Sequence, residues 1–268
     1  MIYVTEVQEV TCVKMVTKPG KLGRTVYLFL VDGMLIDTGP ALLLEELVSF
    51  YKQNLFELVT MTHSHEDHTG TAWWIKENRN VPIYIHPNGK RICENPASYP
   101  EYRKITWGVR KPFKVLPLKT SIYSSNVRWE VLFTPGHAND HVSLYDKHSG
   151  RLFAGDLFLT QEPKIIMKDE SIPLMMDSIR TLLKLDFESL FCSHNGFVPN
   201  GRNLLTQKLS YLEELYDKIE HLYRKGYSIE EIKKLTFPKK YRLIEFSKGE
   251  YDTLHAVTSI VQDIKKRS

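Results

Sequence analysis

Apolar and polar positions alternate along the opening of the chain, then give way to longer spacings. Ile2 to Val7, Thr11 to Val16 and Val26 to Val31 carry the β-branched and aromatic side chains that suit a pleated surface, and they predict strands. Met34 to Asp37 predicts a fourth. Ala41 to Lys52 places leucines and aromatics at helical spacing, Thr69 to Asn78 predicts a second helix, and Ile83 to His86 a further strand. The second half repeats the scheme. Strands are predicted over Val127 to Thr134, Val142 to Asp146 and Arg151 to Asp156, a helix near Ile172 to Leu185, and a strand over Ser189 to His194. This alternation predicts an α/β layer protein with an internal two-fold echo.

Past Gly201 the pattern changes. Residues 202–225 hold Leu, Tyr, Glu and Lys at helical periodicity up to Gly226, which suits a helix C-cap. Ser228-Ile229-Glu230-Glu231 has the serine and glutamate of a capping box, and Gly249 to Lys266 predicts a last helix. The expected division is a domain over 1–200 and a helical C-terminal extension over 201–268, packed on it as an appendage. A surface arm for a partner is the alternative. Between the halves, Glu94 to Lys114 mixes Pro96, Pro100 and Pro112 with Tyr99, Tyr102, Arg103, Trp107, Arg110 and Lys111. The proline spacing argues against a long helix there.

Composition narrows the class. The 268 residues are 42% hydrophobic and 25% charged, ordinary for a soluble globular protein with room for a large core. Apolar runs such as Val26 to Val31 are strand-sized and far too short to span a bilayer, so no membrane partner is expected. No basic-then-apolar leader opens the chain, and a cytoplasmic location is expected. The net charge of +4 permits anionic substrates without arguing for nucleic acid. Cys12, Cys93 and Cys192 are odd in number and widely spaced, against a disulfide framework. Cys192, two residues before His194, reads as a small buried residue rather than a ligand.

The densest chemistry is Thr62-His63-Ser64-His65-Glu66-Asp67-His68-Thr69-Gly70, with three of the chain's ten histidines in six positions and a carboxylate among them. Imidazole and carboxylate are ligands for zinc and related divalent ions, and a strand-to-helix turn can aim all four at one point. A histidine-rich solvated loop is the bland alternative. The pattern H-x-H-x-D-H resembles the signature of the metallo-β-lactamase superfamily of dinuclear metallohydrolases. Further matches follow in the family's order: Thr134-Pro135-Gly136-His137, then Gly155-Asp156, then Ser193-His194-Asn195-Gly196. Asp37, in Leu35-Ile36-Asp37-Thr38-Gly39, matches the family's early D-x-G element. Ser193 and Asn195 depart from the usual G-H-G of the last motif but leave its histidine intact. The resemblance covers about residues 1–200.

That resemblance implies an αββα sandwich whose two halves bring their ligands to one edge. It implies that His63, His65 and His137 hold one divalent ion, that Asp67, His68 and His194 hold a second, and that Asp156 bridges the two. Zinc is the default for hydrolysis, and the same donors admit iron or manganese. A bridging water would become a hydroxide nucleophile at neutral pH, with Asp67 as the catalytic carboxylate that orients it. Asp37 and His141 are expected to brace ligands rather than bind metal. Insertions placed like residues 94–114 wall the family's cleft, which makes Tyr102, Trp107 and Arg110 candidate substrate contacts. A plain surface loop is the alternative.

For the substrate, T-P-G-H-x-x-D-H and the stretch 177–185 look like the glyoxalase II-like and β-lactamase-like-2 groups. The leading reading is a small ester-like molecule, a thioester. The alternatives are a metal-dependent endoribonuclease, a lactonase and a non-catalytic metal-binding protein. Lactone-cleaving members commonly place a tyrosine shortly after the bridging aspartate, and Leu157-Phe158-Leu159-Thr160 has none.

Overall fold

The structure, a computed structural model, describes residues 1–17 and 24–267. One sheet holds seven strands in chain order: Ile2–Val7, Val10–Val16, Thr25–Val31, Met34–Ile36, Leu58–Thr60, Ile83–Ile85 and Leu116–Pro117. Its first four strands pair antiparallel, and from Met34–Ile36 onward the pairing is parallel. The second sheet runs in the order Gly196–Val198, Leu190–Cys192, Arg151–Phe153, Val142–Asp146, Arg128–Phe133 and Ser121–Tyr123. Among the described residues the helices are α1 (Leu44–Gln53), α2 (Glu66–Thr69), α3 (Ala72–Asn78), α4 (Pro87–Glu94) and α5 (Glu101–Trp107). The second half adds α6 (Ile172–Leu182), α7 (Gly201–Arg224), α8 (Ile229–Thr236), α9 (Arg242–Phe246) and α10 (Thr253–Arg267).

Two-residue periodicity sets the layers, because successive side chains of a strand face opposite sides. In Thr25–Val31, Val26 and Leu28 join the cluster that holds Leu47 and Tyr51 of α1 and Ile75 of α3. Phe29 and Val31 turn the other way, into the space between the sheets. From the opposite sheet Phe153 and Phe191 enter that same space and pack on Phe29, at ring-centroid distances of 5.3 and 5.5 Å. Their neighbours Leu152, Leu190 and Cys192 face outward, under α6 and α7. The layers run helix, sheet, sheet, helix, which is the αββα sandwich that the resemblance implied.

The C-terminal helices α7, α8 and α10 share one apolar cluster with α6. The Ser228 and Glu231 capping box opens α8. Beyond α9 the chain returns toward the ligand edge, where Tyr251–Asp252 pairs antiparallel with Ile166–Met167. Both strands are two residues long, too short to carry a readable period. No helix among the described residues is long and apolar enough to cross a membrane.

Two expectations change in detail. The helix expected over Thr69 to Asn78 is two helices, parted at Gly70-Thr71, where a Cβ on Gly70 would stand 2.3 Å from the backbone nitrogen of Ala41. The insertion between the halves carries α5, seven residues that begin directly after Pro100. Proline's fixed φ forbids a helix interior but suits a helix start.

Candidate metal centre

Every ligand candidate leaves the C-terminal end of a strand, the edge where open α/β sheets gather their ligands. His63 to His68 follow Leu58–Thr60, His137 follows Arg128–Phe133, Asp156 follows Arg151–Phe153, and His194 follows Leu190–Cys192. Glycine lets two of these turns close. Gly136 has φ +132° and a Cβ there would meet the Met175 backbone nitrogen at 2.4 Å; Gly155 has φ +51° and a Cβ would meet His141 Nε2 at 2.4 Å.

Three groups of donors form, His63–His65–His137, His63–His68–Asp156 and Asp67–His68–His194, each with its ligand atoms within 4.8 Å of one another. His65 Nδ1 lies 2.9 Å from His63 Nε2 and 3.1 Å from His137 Nε2. Asp156 Oδ2 is the hub, 3.1 Å from His194 Nε2, 3.3 Å from His137 Nε2 and 3.6 Å from His68 Nε2. Asp67 Oδ2 stands 3.4 Å from His194 Nε2 and 3.6 Å from His68 Nε2.

The outer nitrogens decide what the inner ones present. His68 Nδ1 donates to Asp37 at 2.8 Å, His137 Nδ1 to Glu170 at 2.5 Å, and His194 Nδ1 to the Thr25 carbonyl. The Thr62 hydroxyl gives its proton to Asp37, so it accepts from His63 Nδ1. In their neutral form these four imidazoles are thereby fixed with Nε2 bare, a tautomer assignment made from the acceptors. A proton on His65 Nδ1 could serve one of its two bare neighbours and not both. His68 Nε2 and Asp156 Oδ1 are buried with no hydrogen-bond partner. A cation is the partner these atoms lack, and nitrogen with carboxylate oxygen suits zinc and its neighbours. The residues fit a metal.

Electrostatics divide the cluster. Burial holds His63 and His65 well below the usual histidine range, with neighbouring imidazoles adding to the effect. Burial also opposes charge on His68, but Asp67, Asp156 and Asp37 outweigh it and raise that pKa well above normal; His194 is raised likewise by Asp156 and Asp67. Conversely, burial works against ionised Asp156, yet His194, His68 and His137 keep its carboxyl well below the usual range. The carboxylate side therefore draws positive charge, while the three-histidine side offers lone pairs.

Around the ligands stand residues that aim them. Asp37, wholly buried at φ +61°, accepts from the Thr62 amide and hydroxyl and from His68. His141 accepts the Asp156 amide on Nε2 and turns Nδ1 to the Thr134 carbonyl, so it grips the turn that carries Asp156. Glu170 escaped the sequence reading: its other oxygen accepts the Met167 amide, and no motif surrounds it. A carboxylate behind a ligand histidine fixes ring orientation and raises basicity.

Beside the cluster opens a cavity of about 250 Å³ that Tyr102 and Trp107 both line, the Trp107 ring lying 6.3 Å from that of His194. Arg110 is placed differently. It lines a neighbouring, wider hollow, and its buried guanidinium donates to the carbonyls of Cys93, Ile92 and Asn95. Those bonds close the end of α4 and leave little of the group to meet a substrate.

The profile of the Metallo-beta-lactamase superfamily matches residues 24–194. A probable metallo-hydrolase of Bacillus subtilis (strain 168), YflN, is 28% identical over 205 residues, 63% of this chain and 77% of that protein. A hydroxyacylglutathione hydrolase of Idiomarina loihiensis is 28% identical over 163 residues, 60% of this chain but 55% of its own length. In structure, a metallo-beta-lactamase family protein of Thermus thermophilus superposes with a TM-score of 0.71 at 20% identity, covering 97% of this chain and 94% of that one. With the profile spanning every ligand in the cluster, the chain belongs to the metallo-beta-lactamase superfamily, as a metal-dependent hydrolase.

Proposed function

We propose that this chain hydrolyses a small ester-like substrate, a thioester, at a two-ion centre. The observation that carries the reading is the convergence of bare nitrogens and buried carboxylates beside an apolar cavity. His63, His65 and His137 would hold one divalent ion and Asp67, His68 and His194 the other, with Asp156 between. Ions held there would supply an acidified water and polarise the substrate carbonyl.

The chain's own groups do the rest. His68 and His194 hold the Asp67 carboxyl in its ionised form against the cost of burial. Asp67 can therefore bind an ion and accept a hydrogen bond from the attacking water, which orients it. Thiols near pKa ~8.5 leave readily as thiolates, so the leaving sulfur needs no strong acid. Glu170 and Asp37 keep His137 and His68 in the tautomers that bind, and the cavity beside them is lined mostly by apolar surface. The relatives named hydroxyacylglutathione hydrolase support an acylated thiol as the substrate class.

The test is elemental analysis with a substrate panel of thioester, lactone, phosphodiester and RNA on metal-loaded protein. Two ions per chain and preferred thioester cleavage, weakly dependent on salt, are expected. Saturation at one ion overturns the two-ion centre. RNA cleavage that falls steeply with salt, as counterion release demands, overturns the substrate.

A further inference from the structure

The cavity at the metal centre is not closed by the superfamily domain alone. Its roof is Leu243 and Phe246 of α9 together with Tyr251, all from the C-terminal segment. That segment is stitched to the strand pair beside the centre, where Met167 pairs with Tyr251 and the Lys168 amide donates to the Glu250 carbonyl at 2.9 Å.

One side chain joins the roof to the ligand loop. Arg103 of α5 makes a two-pronged contact with Glu66, Nε to Oε1 and Nη2 to Oε2, both at 2.6 Å. Glu66 lies between the ligands His65 and Asp67. From its other nitrogen Arg103 donates to Glu250 Oε1 at 3.1 Å, and the Tyr102 hydroxyl donates to the other oxygen of Glu250. The Tyr102 ring meets those of Phe246 and Tyr251 at 5.5 and 6.5 Å. Arg103 is largely enclosed, and a planar guanidinium fixes direction as well as distance. Motif loop, insertion and C-terminal segment are thus held in one register.

The same pairing uses up most of the charge around the chamber. Glu66 and Glu250 are matched by Arg103 and Tyr102, Glu170 by His137 and the Met167 amide, and Lys208 by the carbonyls of Leu157 and Phe158 at 2.7 and 2.8 Å. Arg24 is left at the rim. What faces the interior between metal and roof is apolar: Trp107, Ile165, Met175, Leu243 and Phe246.

We propose that Arg103 is a positioning residue that locks the C-terminal segment 242–252 onto the metal loop, and that this segment is the specificity wall for an uncharged, apolar acyl arm. The inference rests on the hydrolase reading for the word acyl, and on geometry for the wall. An arm in the chamber would be read by Phe246 and Leu243, while its carbonyl lies at the ligand cluster.

The probes are acetyl and hexanoyl thioesters of N-acetylcysteamine, on the metal-loaded full chain. Phe246→Trp narrows the chamber and should lower the hexanoyl-to-acetyl ratio of kcat/KM roughly tenfold, the low end of what an apolar pocket discriminates per methylene. Phe246→Ala should move the preference the other way, toward octanoyl. Glu250→Gln keeps the Arg103–Glu66 contact and loosens only the roof, so it should raise KM for the hexanoyl substrate several-fold with kcat held, whereas Arg103→Lys also gives up the two-pronged hold on Glu66 and should lower kcat for both substrates as well. A merely structural role would lower kcat for both substrates alike and shift no preference. Calorimetric titration with hexanoate separates this inference from the reaction itself. If no thioester is cleaved, hexanoate binding that weakens in Phe246→Trp still upholds the wall. Binding or selectivity that none of these variants changes overturns it.

Discussion

The ligand loop and the substrate chamber lie side by side and are written into the chain in opposite ways. Four ligands of the loop sit within six residues, His63 to His68, on one turn between a strand and α2. The chamber draws on α5, the stretch after Asp156 and the segment around α9 and Tyr251, parts spread over more than a hundred positions. Four of the seven donors that the centre gathers are thus encoded locally. Selection of a substrate arm needs enclosure, and enclosure is a tertiary property. The two regions should accordingly fail in different ways.

The largest expected effect falls on the loop. Asp67→Ala removes a ligand candidate and the group that would orient the water together, so turnover should fall by more than the roughly 10–100-fold typical of one lost ligand partner. The fold should survive, as circular dichroism and thermal melts would report. Near-normal turnover in a folded, metal-loaded variant would end the assignment and blur the contrast.

Glu170→Gln sharpens the comparison, because Glu170 touches both regions: it holds His137 and the Met167 strand under the roof. A loss of roughly 10–100-fold in metal affinity or activity is expected, the range for outer partners of ligand histidines. Competition with a chromogenic chelator measures it. Unchanged affinity would mean that the turn at Gly136 aims His137 unaided.

The last effect is on stability rather than turnover and concerns Lys208, whose ammonium holds the two carbonyls that follow Asp156. Burial pushes that ammonium down from 10.5 to about 8. Between pH 8 and 10.5 the unfolded chain therefore binds more protons than the folded one, and stability rises with pH across that window. The span corresponds to about 3 kcal/mol at roughly 1.36 kcal/mol per pKa unit. Urea unfolding at three values of pH from about 7.5 to about 10 should show the rise in the native protein and its loss in Lys208→Met. Parallel curves for the two proteins would show that Lys208 keeps its ordinary affinity for a proton.

The ligand loop and the alternation of strands and helices were legible because both rest on short-range regularities, while the rest of the ligand set and the sandwich came through the family resemblance. Spacing of histidine and carboxylate marked His63, His65, Asp67 and His68, the family resemblance added His137, Asp156 and His194, and the structure brings all seven together. Alternation marked the long strands, and their two faces separate into different layers. Glu170 and Glu250 left no such trace. Each meets its partner from a distance, 33 residues to His137 and 147 to Arg103, inside segments of ordinary composition. The two-residue strands Ile166–Met167 and Tyr251–Asp252 exist only through each other. Arg110, a basic residue in an aromatic loop that the resemblance makes a candidate substrate contact, donates to the carbonyls that end α4, a partnership with no local sequence sign.

His194 has one more consequence. The histidine comes from the last strands of the second sheet, but its outer nitrogen is held by Thr25 on the first, next to a bond from the Tyr27 amide to the Ser193 carbonyl at 2.6 Å. The last ligand candidate is therefore aimed by a strand made 169 residues earlier in synthesis. On a ribosome the early loop would emerge long before its partners, with His137, Asp156 and His194 still to come. Full-strength metal capture must wait until the sheets have closed on each other. Loading would thus mark the end of assembly, and a chain cut between the halves would take up metal only as fast as the two pieces find each other.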